Sequence, residues 1–256
     1  MHWRFLVTPP LSGTDNMALD EALLRRAADS GEAVFRLYRW SAPTLSLGRN
    51  QPARGEYDGE ALAARGIDVV RRLTGGRAVL HHREITYSVT APLSLGATLR
   101  DAYLRINELL LAALHRLGAR AEISRPAGKA PVPSTAPCFE EPTEGELVLG
   151  GRKLVGSAQY RDEQALLQHG SILVDDDQTS VASLLRNPVA PPPAPATLRD
   201  ALGRAPSAAE VDAAFLAALR DREDASPGEL ALDTTLTAAV ADARRRYVDR
   251  EWTWRR

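Results

Sequence analysis

Three arginines and two adjacent glycines fall in Arg71-Arg72-Leu73-Thr74-Gly75-Gly76-Arg77, with Ala78-Val79-Leu80-His81-His82 directly after them. Guanidinium groups offer fixed forks of donors that suit phosphate or carboxylate. Glycine admits positive φ and lets a ligand approach bare backbone. The flanking stretches Ile67–Val70 and Glu84–Val89 are rich in β-branched and aromatic residues, so the glycines are expected where two strands are linked. A hairpin loop with solvated arginines fits the same spacing, which by itself is weakly specific.

Two other residues stand out by rarity. Cys138 is the single cysteine, and Lys129 and Lys153 are the only lysines among 32 basic residues. Lysine, unlike arginine, is a compact charge that loses its proton when desolvated, so a surviving lysine marks a place that arginine does not serve. Lys129, in a proline-rich loop, also fits chance survival. A lone cysteine is usually an inert buried side chain, but Cys138 sits outside any periodic apolar run, in Ala136-Pro137-Cys138-Phe139. A thiol becomes a nucleophile where a cation favours its thiolate. Lys153 opens the next strand pair and is expected to return to the same end of the sheet. Ser157 lacks the Gly-x-Ser-x-Gly elbow and is expected to be structural. His81, His82 and His169 are candidate bases or donors. Adjacent histidines on a strand point to opposite faces, so no convergent metal-binding set forms.

The chain has 256 residues, is 44% hydrophobic and carries a formal charge of −1, which predicts one substantial core and argues against a nucleic-acid partner. No apolar run is long enough for a signal peptide or a membrane span, so a soluble cytoplasmic protein is expected. One cysteine excludes an internal disulfide.

The positioning elements follow from periodicity and caps. A helix is expected over Asn16–Asp29, with Thr14 and Asp15 as caps and Gly31 as its stop. Strands are expected over Val34–Trp40 and Thr44–Leu47, a short helix from about Asp58 to Arg65, and a long helix capped by Thr98 and Asp101 that ends at Gly118. Ser124–Pro142 carries five prolines and predicts a long loop. Glu146–Leu149 and Arg152–Tyr160 flank a Gly150-Gly151 hairpin signal, and Ala165–Val174 follows as a third strand. Asn187–Ala196 is a stiff linker, and helices are expected over Ser207–Arg220 and about Leu230–Val248. The fold class is therefore α+β: a largely antiparallel mixed sheet flanked by helices. Residues 1–186 are expected to form the catalytic domain, 187–197 the linker and 198–256 a helical extension packed on that domain.

Several of these segments, in one order, resemble the biotin and lipoate protein ligase superfamily: Asn16–Leu24, Val70–His81, Arg152–Gln159 and Leu167–Leu173. Within it the chain most resembles the bacterial octanoyltransferases that take octanoate from acyl carrier protein. The resemblance implies a ping-pong transfer without cofactor or metal. A loop cysteine, here Cys138, takes the octanoyl group from the carrier's phosphopantetheine thioester. A lysine of a lipoyl-bearing protein, such as the glycine-cleavage H protein or a 2-oxo-acid dehydrogenase acyltransferase subunit, then receives it. Lys153 corresponds to the pocket lysine that favours the thiolate. Arg71, Arg72, Thr74, Gly75, Gly76, Arg77, His81, Gly156, Ser157, Ala158, His169 and Gly170 correspond to substrate-binding positions. An octanoyl chain buries about seven carbons at ~0.8 kcal/mol each, about 5 kcal/mol in all, and the glycines leave it space.

Two features depart from the transferase pattern. His82 stands where those enzymes usually carry an acidic residue, and Gly48-Arg49-Asn50-Gln51 leans toward ATP-dependent lipoate ligases. A ligase working through an acyl-adenylate is therefore the alternative, and a non-catalytic module that binds acylated or lipoyl domains is a third.

Overall fold

The computed structural model describes residues 1–124 and 144–255. The expected Ser124–Pro142 loop, with Lys129 and Cys138, thus lies almost wholly outside the described residues.

The chain opens with strand β1 (Trp3–Val7) and helix α1 (Gly13–Ser30), then β2 (Ala33–Tyr38), β3 (Thr44–Leu47), α2 (Gly59–Ala64), β4 (Asp68–Arg71), β5 (Val79–His81) and β6 (Glu84–Pro92). Helix α3 (Leu99–Arg116), β7 (Glu122–Ile123), β8 (Leu147–Leu149), β9 (Arg152–Arg161) and β10 (Ala165–Leu173) follow. The C-terminal part holds α4 (Leu198–Leu202), α5 (Ala208–Arg222), β11 (Gly228–Glu229), α6 (Thr234–Val248) and α7 (Arg250–Trp254). Eight strands form one sheet in the order β11-β1-β2-β6-β10-β9-β8-β7, and β4-β3-β5 form a second, small sheet. Pairing is antiparallel except for β1 with β2 and β11, and β3 with β4. The mixed, largely antiparallel character read from the sequence is what the strands adopt.

Alternation along the central strands decides what each face does. On β6, Ile85, Tyr87, Val89 and Ala91 join the main core with α3 and α5, as do Phe35 and Leu37 of β2. The intervening positions Arg36, Tyr38, Ser88 and His169 meet the buried Asp20 of α1. Side-chain period two therefore sorts this part of the sheet into an apolar face and a more polar one that packs on α1. The meander β8-β9-β10 forms as expected, with Gly150 and Gly151 at φ 55° and 75° in the hairpin turn.

Several boundaries differ from expectation for identifiable reasons. Helix α1 begins earlier because extended Ser12 is the N-cap and accepts from the Asp15 amide; Thr14 and Asp15 lie inside the first turn. Gly13 is tolerated there because a Cβ would lie 2.8 Å from Thr44 Cγ2. Strands β4 and β5 do not pair with each other, since β3 lies between them; the glycine turn is a crossover rather than a hairpin loop. Helix α6 starts at Thr234 because Asp233 caps it, and the residues before it supply β11. Helix α4 and strand β1 are additional elements, both too short to show a period.

Val211, Phe215, Ala218 and Leu219 of α5 are buried in the main core, with the Phe215 ring 5.7 Å from Phe35. Truncation by Phe215→Ala is expected to lower unfolding stability by about 3–5 kcal/mol within one cooperative transition. Urea denaturation followed by tryptophan fluorescence and circular dichroism checks this; a separate early transition would show that the C-terminal helices fold apart from the sheet.

Candidate functional site

A pocket with an empty volume of about 420 Å³ opens between the polar face of the large sheet, α1 and the small sheet. Met17, Tyr38, Trp40 and Val79 give it apolar walls, and Gly156, Ser157, Ala158 and Gly170 give it a floor of small residues. Gly170 is confined: a Cβ there would lie 2.5 Å from the Gly156 carbonyl oxygen and 2.7 Å from the Tyr87 ring.

The arginine-glycine turn closes one side. Gly76 takes φ 92°, a left-handed conformation that favours glycine. Its carbonyl oxygen packs so tightly on Gly48 that a Cβ on Gly48 would sit 2.0 Å from it. Gly48, which the sequence flagged only as part of a ligase-like tetrad, is thus the surface on which the turn rests.

The three arginines of the turn play different parts. Arg71 is neither solvated nor at a ligand surface. It is fully buried, and its guanidinium donates to the carbonyl oxygens of Gly48 (2.5 Å), Gln51 (2.9 Å), Thr253 (2.9 Å) and Arg255 (3.0 Å). Trp252 Nε1 donates back to the Arg71 carbonyl at 2.9 Å, so α7 is fastened to the turn. The anchors of that tail are backbone carbonyls, which leave no motif in the sequence. Arg72 lines the pocket and donates to acceptors on several sides. Nε reaches Thr74 Oγ1 (3.1 Å), Nη1 reaches the Ser46 carbonyl (2.9 Å) and Oγ (3.0 Å), and Nη2 reaches the carbonyls of Gly75 (2.8 Å) and Arg77 (2.7 Å). Arg77 and Gly75 are outside the pocket lining and contribute these carbonyls.

His169 lines the pocket on β10. Its Nε2 lies 2.6 Å from Thr74 Oγ1 and its Nδ1 3.2 Å from Asp20 Oδ2. Asp20 also accepts from Arg36 (2.8 Å), Tyr38 (2.9 Å) and Ser88 (2.8 Å). Burial raises the Asp20 carboxyl, but the Arg36 charge and the His169 and Ser88 bonds outweigh it and hold the group below the usual carboxylate range. Burial pushes the His169 imidazole down despite Asp20, helped by the nearby Arg72 charge, so the ring is held neutral. His81 stacks on Trp40 at 4.0 Å and meets Ser46 Oγ at 2.8 Å. His82 is half exposed beside Asp177 at 3.2 Å and is not in the lining.

Lys153 is outside the pocket lining. It is buried on β9, three residues before Gly156, with Nζ 2.7 Å from Glu146 Oε1. The Ser124 amide donates to the Glu146 carbonyl (2.7 Å) and the Gly145 amide to the Ser124 carbonyl (3.0 Å). The chain therefore leaves and rejoins the sheet beside Lys153. From Gly145 a buried chain of bonds runs to the pocket. Asn107 Nδ2 donates to the Gly145 carbonyl, Gln168 Nε2 donates to Asn107 Oδ1 and to the Tyr87 hydroxyl, and Tyr87 meets Ser157 Oγ at 2.7 Å. Asp20, Glu84, Ser46, Asn107 and Gln168 were not singled out from the sequence, since each reads locally as an ordinary helix or strand residue.

Comparison with known proteins places this architecture. The family described as lipoyl protein ligase A/B catalytic domain matches residues 12–220. The chain belongs to that family. A relative named octanoyltransferase LipM from Kyrpidia tusciae is 41% identical over 276 residues, covering 99% of both chains. Another of that name from Moorella thermoacetica is 46% identical over 192 residues, covering 73% of this chain and 70% of its own. Among solved structures, a lipoate-protein ligase A bound with ATP superposes with TM-score 0.82 at 22% identity, covering 99% of each chain. A bi-partite lipoate protein ligase from Thermoplasma acidophilum gives 0.79 at 22% identity, covering 99% of this chain and 96% of its own. At such identities these structures establish the shared fold. Among the described residues no cluster of histidine, cysteine or acidic side chains could hold a metal ion.

The neutral His169 has a stability signature. An unfolded histidine takes up its proton near pH 6.5, whereas the folded ring resists until lower pH. The unfolded state therefore binds more protons as pH falls below about 6.5, and the folded state loses up to about 1.4 kcal/mol per pH unit from this group until the ring's own lowered pKa is reached. His169→Gln is expected to flatten that loss. Urea midpoints at about pH 7.5 and about pH 5.5 measure it, and equal slopes in the two proteins would contradict the assignment.

Proposed function

We propose that this protein transfers an octanoyl group from an acyl-carrier thioester, by way of a thioester on Cys138, to a lysine of a lipoyl-bearing protein in lipoate biosynthesis. The relatives' octanoyltransferase name supports the reaction class. The supporting observation in this chain is the apolar pocket floored by Gly156–Ala158, on the same strand as buried Lys153. An aliphatic chain suits its Met17, Trp40 and Val79 walls. Lys153 stands where the chain departs into the segment that carries Cys138, and its ammonium would favour the thiolate there.

In the first half-reaction the Cys138 sulfur attacks the donor's carbonyl, the new C–S bond forms and the pantetheine thiol departs with a proton. In the second, the acceptor's amine nitrogen attacks the acyl-enzyme, C–N forms, C–S breaks and the cysteine leaves as thiolate; the amine's proton remains for a base or solvent. Thioester exchange is nearly thermoneutral and amide formation runs downhill, so the protein's task is orientation and stabilisation of the developing oxyanion. No ATP is consumed.

Arg71, Arg72, Thr74, Gly75, Gly76, Arg77, His81, Gly156, Ser157, Ala158, His169 and Gly170 serve this reaction in two ways. Arg72, Gly76, His81, Gly156, Ser157, Ala158, His169 and Gly170 bound the acyl site. Arg71, Thr74, Gly75 and Arg77 hold the turn in place. The donor is octanoyl-acyl carrier protein and the acceptor a lipoyl domain.

Incubation with octanoyl-acyl carrier protein without ATP is expected to add one octanoyl mass to the protein. Cys138→Ala removes the adduct, and Lys153→Ala slows its formation by about 10²–10³-fold. Intact-mass spectrometry reads both. No adduct, or transfer that requires ATP and free acid, would point instead to the adenylating chemistry of the ligases.

A further inference from the structure

The pocket has a direction. Strands β9 and β10 pair Gly156 with Ser171, Ala158 with His169 and Tyr160 with Leu167, three successive rows along the sheet. The first two rows line the pocket and the third does not. Lys153 precedes Gly156 on β9, so the reacting end of an acyl group belongs beside the first row and its methyl end runs toward the third. Rows two residues apart are separated by about 7 Å, which puts the third about 13 Å from the first. Seven C–C bonds of about 1.5 Å, laid out in a zigzag, reach about 9 Å. An octanoyl chain therefore passes the second row and ends before the third.

What stands at that end is His169, Tyr38 and Met17. His169 is in the second row and is held by Thr74 and Asp20. Tyr38 donates to Asp20 at 2.9 Å, and the Arg36 guanidinium packs on its ring at 3.9 Å. Both are fixed by polar contacts. Met17, three residues before Asp20 on α1, is buried at 3% exposure and lines the pocket with an apolar side chain. Its other neighbours belong to the cluster that holds Leu167, with Tyr160 packed against it, which is the third row. Met17 thus fills the space between the acyl site and the third row. A thioether side chain fits an irregular gap of this kind, and its replacement breaks no polar contact.

We propose that Met17 is the specificity-determining residue that closes the methyl end of the acyl site and sets its length at eight carbons. The acyl ligand and its direction rest on the octanoyl-transfer reading; the place of the end wall rests on the strand register and the apolar cluster. A longer chain collides with Met17, and a shorter one leaves a gap beside it. Val79 packs on Leu173, on the Lys153 side of the first row, and has no part in measuring the chain.

The test compares kcat/KM of the full-length protein for hexanoyl-, octanoyl- and decanoyl-acyl carrier protein. Met17→Ala is expected to raise the decanoyl-to-octanoyl ratio at least about tenfold, the effect of added methylenes in an apolar pocket. Met17→Phe is expected to move the preference to hexanoyl, and it carries the same test should Met17→Ala fail to fold. Met17→Leu, a swap of similar volume, should keep the ratios within about threefold. Val79→Ala should leave the ratios as they are, whatever it does to the rates. Ratios unchanged by Met17→Phe and by a folded Met17→Ala, or ratios moved by Val79→Ala instead, overturn the proposal. Calorimetric titration of the same variants with hexanoic, octanoic and decanoic acid reads the order of affinities without any transfer. If no acyl adduct forms but these affinities shift with Met17, the transfer reading falls and the end wall stands; if the adduct forms and neither series shifts, this inference alone falls.

Discussion

The guanidinium of Arg72 is the constraint on which the pocket depends. One planar cation reaches the carbonyls of the glycine turn and the hydroxyls of Ser46 and Thr74, which hold the two histidines. A lysine in its place would be a point charge without the fork, unable to satisfy acceptors in several fixed directions at once. The turn can therefore be glycine-rich and still rigid: its backbone is held from within by Arg72 and from beneath by Gly48.

The covered polar face of the large sheet extends the same logic. Asp20 and Arg36 are both essentially excluded from solvent and 2.8 Å apart, an arrangement whose desolvation cost is offset by further hydrogen bonds from Tyr38, Ser88 and His169 to Asp20 and from Arg36 to Thr8 and Asn16, with Arg36 Nε alone of its nitrogens unpaired among the described residues. Such a layer adds little to net stability compared with an apolar one, but it admits few alternative arrangements. It sets His169 to within one hydrogen-bond geometry across three elements. The C-terminal helix contributes from outside, since Arg71 ties its last carbonyls to the loop that precedes the turn.

Much of this was legible in the sequence. Helix α3 was readable because Thr98 and Asp101 form a capping box, and the β8-β9 hairpin because Gly150-Gly151 is a strong turn signal. Eight of the substrate-site positions indicated by the family motifs do line one pocket. What failed to show was everything carried by long-range geometry. The insertion of β3 between β4 and β5 leaves no local trace, so the turn resembled a hairpin loop. The three arginines are alike as letters, but Arg71 is spent on main-chain carbonyls that only the folded chain brings together. Asp20 sits in a helix where an acidic residue in the N-terminal half is unremarkable, and its charge partner Arg36 is sixteen residues away on a strand. The thiol that the motif placed in the Pro-Cys-Phe segment lies outside the described residues, so its position rests on the sequence.

If Arg72 joins the two sides of the pocket, its effect and that of Asp20 cannot be independent, although the two side chains are linked only through Thr74 and His169. A double-mutant cycle of Arg72→Lys and Asp20→Asn, read as kcat/KM for octanoyl transfer, tests this directly. The account predicts a coupling of at least about 1 kcal/mol, the second substitution costing far less once the first is present. Losses that add to within about 0.5 kcal/mol would contradict it.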